Sequence, residues 1–164
     1  MSDPVYNVLF LCTGNSARSI LAEAYLNHRG RGRFRAYSAG SHPAGKVDPM
    51  VLNLLQRCGI PVSDLRSKSW DEFVGPAAPQ LDFVFTVCDR AAGEVCPVWP
   101  GQPVTGHWGV PDPAVIRDDE RKKERSIEEA FRILERRIDL FMCLPIGSLD
   151  RMSLRDRVHA IGQR

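Results

Sequence analysis

The stretch VLFLCTGNSARS, residues 8–19, sets a cysteine, Cys12, at the end of an apolar run and an arginine, Arg18, six positions further on. Between them stand Thr13, Gly14, Asn15, Ser16 and Ala17, all small or polar. A loop of this composition can wrap so that successive backbone N–H groups point inward as an anion nest, beside the N-terminus of the following helix. Gly14 permits an awkward backbone angle, and Asn15 tolerates a left-handed one. Arg18 adds a planar fork that holds two oxygens of a tetrahedral oxyanion. The same surroundings favour negative charge on sulfur and lower a thiol pKa from ~8.5 to between ~3.5 and ~7.5, so Cys12 is expected to be a thiolate at neutral pH. Ser19 is placed to donate a hydrogen bond to that sulfur. Without such a setting the cysteine would be a buried strand-end residue and the arginine an exposed helical one; strand, loop and helix together make them a nucleophile and its oxyanion holder.

Such a loop works only if a strand delivers it and a helix receives it. Tyr6 to Leu11 is a nearly continuous apolar run of strand formers, as in a parallel strand covered on both faces. From Arg18 the apolar residues Ile20, Leu21, Ala24 and Tyr25 follow helical spacing, closed by Gly30 and Gly32. Phe34 to Ala39 reads as a second strand. Asp48-Pro49 caps a helix with Val51, Leu54 and Leu55 on its buried stripe and Gly59-Ile60-Pro61 at its end. Ser63 to Pro79 holds one short helix around Trp70 and Phe73. Leu81 to Val87 is a third strand, again ending on a cysteine, Cys88, and Val104 to Trp108 is a weaker fourth, limited by Pro103 and Gly106. Ser126 is expected to cap a long helix carrying Ile127, Phe131, Leu134, Ile138 and Phe141, with Glu128 and Arg132 spaced for an exposed ion pair. Ser153 to Ile161 forms a last short helix. The alternation predicts an α/β fold: an open parallel four-stranded sheet with helices on both faces, a single domain over residues 1–164, and a ligand site at the carboxyl ends of the strands. That rule brings Cys12, Cys88 and the segment after His107 to one rim.

Composition sets the outer bounds. At 43% hydrophobic and 26% charged, the 164-residue chain is globular in type. A net charge of +2 is too small to argue for nucleic acid. The basic cluster of His28, Arg29, Arg31, Arg33 and Arg35 lacks an interleaved aromatic platform and reads as a solvated loop. No apolar run approaches the ~20 residues that span a bilayer, and the N-terminus has no signal-like pattern, so a cytoplasmic location without membrane or nucleic-acid partners is expected. Five cysteines, an odd number, favour thiol chemistry or burial over a disulfide framework. Cys58 and Cys143, at helix ends, are expected to be packing residues.

The loop closely resembles the C-x-G-N-x-x-R-S signature of the low-molecular-weight protein tyrosine phosphatases and of the arsenate reductases that share their fold. The likeness continues through Tyr37-Ser38-Ala39-Gly40, Thr86-Val87-Cys88, Cys96-Pro97 and His107-Trp108-Gly109-Val110-Pro111-Asp112-Pro113. It covers a core of about residues 5–141 and leaves a helical extension, about 145–164, without a family role. The resemblance implies a Cys12 nucleophile, oxyanion binding by Thr13, Gly14, Asn15, Ser16, Ala17 and Arg18, support of the thiolate by Ser19, and Asp112 of the Asp-Pro pair as general acid.

Phosphatases of this family are expected to follow that pair with aromatic walls; Ala114 and Val115 stand here, which suits a bare oxyanion. In thioredoxin-coupled arsenate reductases a second cysteine attacks the thiol-arsenate adduct and a third resolves the disulfide. By position Cys88 resembles the second and Cys96 the third, with Asp89 to Val95 refolding between them. Two features depart from the pattern: Ala17 stands where several relatives have a cysteine, and the seven residues between Cys88 and Cys96 are one more than in those relatives. The expected function is thiol-dependent reduction of arsenate to arsenite. The alternatives are a phosphatase working through a phosphocysteine and a non-catalytic oxyanion-sensing or docking module. No tightly bound cofactor and no metal are expected, since Cys88, Cys96 and His107 lack a close ligand pair. The electron donor would be thioredoxin, or glutathione with glutaredoxin.

Overall fold

The computed structural model describes residues 4–88, 99–113 and 118–164. Four parallel strands, β1 (Tyr6–Cys12), β2 (Phe34–Gly40), β3 (Phe83–Thr86) and β4 (Val104–His107), lie in the order β2-β1-β3-β4. Around them are helices α1 (Arg18–Arg29), α2 (Pro49–Arg57), α3 (Glu120–Met142) and α4 (Arg151–Gly162), with a 3-10 turn at Trp70–Phe73. Strand periodicity divides β1 between two cores. Val8 and Phe10 pack with the buried stripes of all four α-helices, whereas Leu9 and Leu11 pack with Ala39, Phe73, Val84 and Trp99 on the other face. The 3-10 turn and Trp99 therefore cover the second face among the described residues. No described helix is long and apolar enough to cross a membrane.

Register brings the strand ends together: Leu11 pairs with Thr86, and Thr86 with His107. The Val87 N–H then donates to Leu11 O at 2.9 Å, and Trp108 N–H to Thr86 O at 2.7 Å, extending the ladders into the loops. Phe85 and Trp108 stack with ring centroids 4.0 Å apart and an 11° interplanar angle, anchoring the chain that leaves β4.

The long helix begins two turns before the expected Ser126. Asp119 caps it, accepting from Arg121 N–H at 3.0 Å and Lys122 N–H at 3.1 Å. The apolar stripe marks only the part lying on the sheet; the extra turns project beyond it and are held by Lys123–Asp48 at 2.8 Å and Arg57–Glu124 at 3.3 Å. Glu128, spaced for Arg132, meets Arg57 at 3.6 Å. Cys58 and Cys143 are exposed, a correction to their assignment as packing residues. Each follows the last residue of its helix, where the backbone turns off the buried stripe.

Candidate active site

A cavity of about 440 Å³ opens at the carboxyl end of the sheet, lined by Cys12, Thr13, Gly14, Ser16, Ala17 and Arg18 together with Cys88, Val110, Pro111 and Asp112. The rim predicted from the alternation of strand and helix is thus the rim observed. Its floor is shaped from behind by main-chain bonds. Thr13 O accepts from His42 N–H, Gly14 O from Ala44 N–H and Ser16 O from Asp48 N–H, at 2.9, 2.9 and 3.0 Å. A peptide N–H points opposite to its carbonyl, so turning these carbonyls outward aims the N–H groups of Gly14, Asn15 and Ala17 inward. Helix α1 adds more donors: its N-terminus at Ala17 has no side-chain cap and no acidic residue in the first turn. Uncapped first-turn N–H groups beside such a loop form an anion-binding surface.

Asn15, fully buried, takes the left-handed turn of the loop at φ 46°. The expected special angle thus falls on Asn15, and Gly14 lies outside the left-handed region. Tertiary bonds hold Asn15 there. Its Oδ1 accepts from Lys68 N–H at 2.8 Å, and its Nδ2 donates to Ser19 Oγ at 2.8 Å and Ser38 Oγ at 2.9 Å. Ser38 Oγ donates in turn to Glu23 Oε1 at 2.6 Å, and Lys68 Nζ lies 3.6 Å from the same oxygen. Burial pushes the Glu23 carboxyl up, opposed by Lys68 and Ser38, and burial pushes the Lys68 ammonium down, opposed by Glu23. Because Ser19 Oγ accepts from Asn15, its own proton is left to be donated elsewhere.

Ser38, Gly40, Glu23 and Lys68 carry no local signal of a role, although Ser38 and Gly40 belong to the Tyr37-Ser38-Ala39-Gly40 stretch. Their tie to the loop is purely tertiary. A Cβ on Gly40 would stand 2.5 Å from Thr13 O and 3.1 Å from Asn15 Cβ, both on the loop. Gly40→Ala is therefore expected to displace the loop and weaken phosphate binding at least about tenfold, because the nest depends on the loop's shape. Calorimetric titration with inorganic phosphate checks this.

Arg18 is buried, its Nη1 donating to Val110 O at 2.9 Å and its Nη2 lying 3.5 Å from Asp112 Oδ2. The guanidinium so joins the loop to the segment after β4. The Asp112 side chain is 41% exposed and lines the same cavity, in reach of both solvent and its interior. His107 Nδ1 and Thr86 Oγ1, paired residues of β4 and β3, are 2.7 Å apart.

Cys12 and Cys88 are 4% and 1% exposed and share the cavity wall. Thr13 Oγ1 lies 3.6 Å from Cys88 Sγ. The ionisation expected for Cys12 is reversed here. The hydrogen bond to Cys88 and burial push its thiol up, outweighing the Arg18 charge and the Gly14 N–H that pull it down. Cys88 comes from a different strand, so a reading of the loop alone does not include its effect. Cys96, the Asp89 to Val95 segment, Ala114 and Val115 lie outside the described residues. His28, Arg29, Arg31, Arg33 and Arg35 are all exposed, away from this cavity.

The profile of the low molecular weight phosphotyrosine protein phosphatases matches residues 7–152. An arsenate reductase of Shouchella clausii is 35% identical over 129 residues, 79% of this chain and 84% of that protein. Among solved structures, an arsenate reductase from Archaeoglobus fulgidus has 30% identity and a TM-score of 0.60, covering 80% of this chain and 98% of that one. The thioredoxin-dependent arsenate reductase Cg_ArsC1' of Corynebacterium glutamicum has 29% identity and a TM-score of 0.56, covering 86% of this chain; this chain spans 65% of that protein's length. The chain belongs to the low molecular weight phosphotyrosine protein phosphatase family.

Proposed function

We propose that this protein reduces arsenate to arsenite through a covalent adduct on Cys12. One observation supports the choice over phosphate ester hydrolysis: a second buried cysteine, Cys88, lines the same cavity as Cys12. A hydrolase needs one thiol and a water, whereas a two-electron reduction needs two thiols within bonding reach. The loop N–H groups and Arg18 hold the tetrahedral anion. The Cys12 thiol proton passes to a substrate oxygen, and the Cys12 sulfur attacks arsenic. One oxygen leaves as water, protonated by Asp112, with arsenic still As(V). Cys88 then attacks the Cys12 sulfur. The S–S bond forms, the S–As bond breaks, and its electron pair stays on arsenic as As(III). Arsenate dianion, two thiols and two protons give arsenous acid, one disulfide and one water. Ser19 stabilises the Cys12 thiolate when it forms and when it leaves.

The disulfide is returned to thiols by an external dithiol of the thioredoxin class, as the name of the Corynebacterium relative says of that protein. Cys96 is the thiol that carries the disulfide outward, and the cytoplasm is the compartment that supplies the reductant. The reading is tested by arsenate-dependent NADPH oxidation with thioredoxin and its reductase, run beside glutathione with glutaredoxin and beside phenyl phosphate hydrolysis. Turnover of arsenate with the first system is expected; phosphate ester hydrolysis without arsenate turnover would overturn the reading. Asp112→Asn is expected to lower kcat by about 10²–10⁴ with phosphate binding retained, the usual contribution of a positioned acid. A full-rate variant would remove Asp112 from that role.

A further inference from the structure

Arg137 stands on the inward side of α3 and is buried. It pairs with no acidic side chain among the described residues. Its Nη1 donates to Gly109 O at 3.0 Å, and its Nη2 and Nε donate to Arg164 O at 3.1 and 3.3 Å. A guanidinium buried in this way costs more desolvation than an apolar side chain of its size, so core stability alone does not explain it.

Its other end holds the segment that leads to Asp112. The N–H groups of Trp108 and Val110 are bonded to Thr86 O and Val87 O at 2.7 and 2.9 Å. The carbonyls on this segment go to two arginines, Gly109 O to Arg137 and Val110 O to Arg18. The Trp108 indole N–H donates to Val158 O of α4 at 3.0 Å. The last turn of α4 lies so close that a Cβ on Gly162 would be 2.5 Å from His107 O and 2.8 Å from Trp108 Cδ1. Beyond Val110 the chain runs Pro111-Asp112-Pro113, where each proline fixes its own φ and restricts the residue before it. With so few free torsions, the orientation of the Gly109 peptide is carried to the Asp112 carboxyl. Most of α4 lies past residue 152, where the family match ends.

We infer that Arg137, backed by the last turn of α4, is a positioning residue for Asp112. It sets the Gly109 peptide, and the proline-stiffened arm delivers the carboxyl group to the cavity mouth. This rests on the acid role proposed for Asp112. The test uses the full chain with Arg137→Met and Arg137→Lys, each alone and combined with Asp112→Asn. Arsenate turnover gives kcat and KM, phosphate titration gives the binding constant, and thermal unfolding gives Tm.

Arg137→Met is expected to lower kcat about 10- to 100-fold while KM and phosphate affinity stay within about twofold, because misplacement of the acid costs the transition state and not the bound anion. Its Tm is expected to fall, since Gly109 O and Arg164 O lose their donors, so the kcat loss is read at a temperature well below the variant's own Tm. Arg137→Lys should recover most of the rate by bonding Gly109 O. In the Asp112→Asn background, Arg137→Met should change kcat less than about twofold, the signature of two residues acting through one step. An unchanged kcat in Arg137→Met overturns the inference. So does an equal loss in both backgrounds, or a loss of phosphate binding in step with kcat. If Arg137→Met does not fold, Arg137→Gln takes its place under the same criteria. Failure of the underlying reading looks different: Asp112→Asn alone would then run at full rate, or the unaltered protein would turn over no arsenate.

Discussion

Cys12→Ser is expected to bind inorganic phosphate and to turn over no arsenate, a loss of at least about 10⁴-fold, as for other enzymes deprived of a covalent nucleophile. Binding survives because the loop N–H groups, the α1 N-terminus and Arg18 remain in place. Turnover fails for two separate reasons. A serine hydroxyl ionises far less readily than a thiol and is the weaker nucleophile. An arsenate ester on oxygen would also be a dead end, since the reducing step needs a sulfur that Cys88 can attack to form a disulfide. Calorimetry with phosphate and arsenate-dependent NADPH oxidation read the two halves of this prediction. Residual turnover near the parent rate would remove Cys12 from the reaction.

Cys88→Ser is expected to produce two effects with opposite signs for reactivity. The Cys12 thiol is held up first by its hydrogen bond to Cys88, then by burial, and also by the Cys88 charge. A thiol whose pKa is raised stays protonated to higher pH. Removing the cysteine therefore moves the onset of the Cys12 thiolate to lower pH, because a serine stays neutral and can donate to the sulfur. Iodoacetamide labelling of Cys12 across pH, resolved by peptide mass spectrometry, should show the curve displaced downward. In thioredoxin-coupled assays, by contrast, the variant should fall below about 1% of the parent rate after forming one arsenic adduct, because the attacking second thiol is gone. A labelling curve that does not move would separate Cys88 from the ionisation of Cys12. Undiminished turnover in the variant would reject the internal disulfide.

Reading the residues in order was enough for features whose causes lie within a few positions of each other. The apolar run of β1, the Cys12-to-Arg18 spacing and the stripe Ile20, Leu21, Ala24, Tyr25 specify a strand, a connecting loop and a helix by local chemistry alone. Asp48-Pro49 likewise announced its cap, and Asp48 Oδ1 does accept from Met50 N–H at 2.9 Å. Local pattern misplaced the start of α3, because two turns of polar helix formers carry no apolar period; a distant pair, Lys123 and Asp48, helps hold them.

The amino-acid order by itself thus determined an open α/β sheet with the Cys12-to-Arg18 loop at the carboxyl end of its central strands. Only the tertiary structure decided how that loop is held and charged. Asn15 keeps its left-handed turn through Lys68 and Ser38, and Gly40 leaves no room for the loop to shift. The pairing of Leu11 with Thr86 brings Cys88, 76 positions along the chain, against Cys12. The loop's own groups pull the Cys12 thiol down, and the neighbour delivered by β3 pushes it up. Ionisation depends on every charge and dipole within a few ångströms, whatever its place in the chain, so strand pairing acts on the central sulfur alongside the local motif.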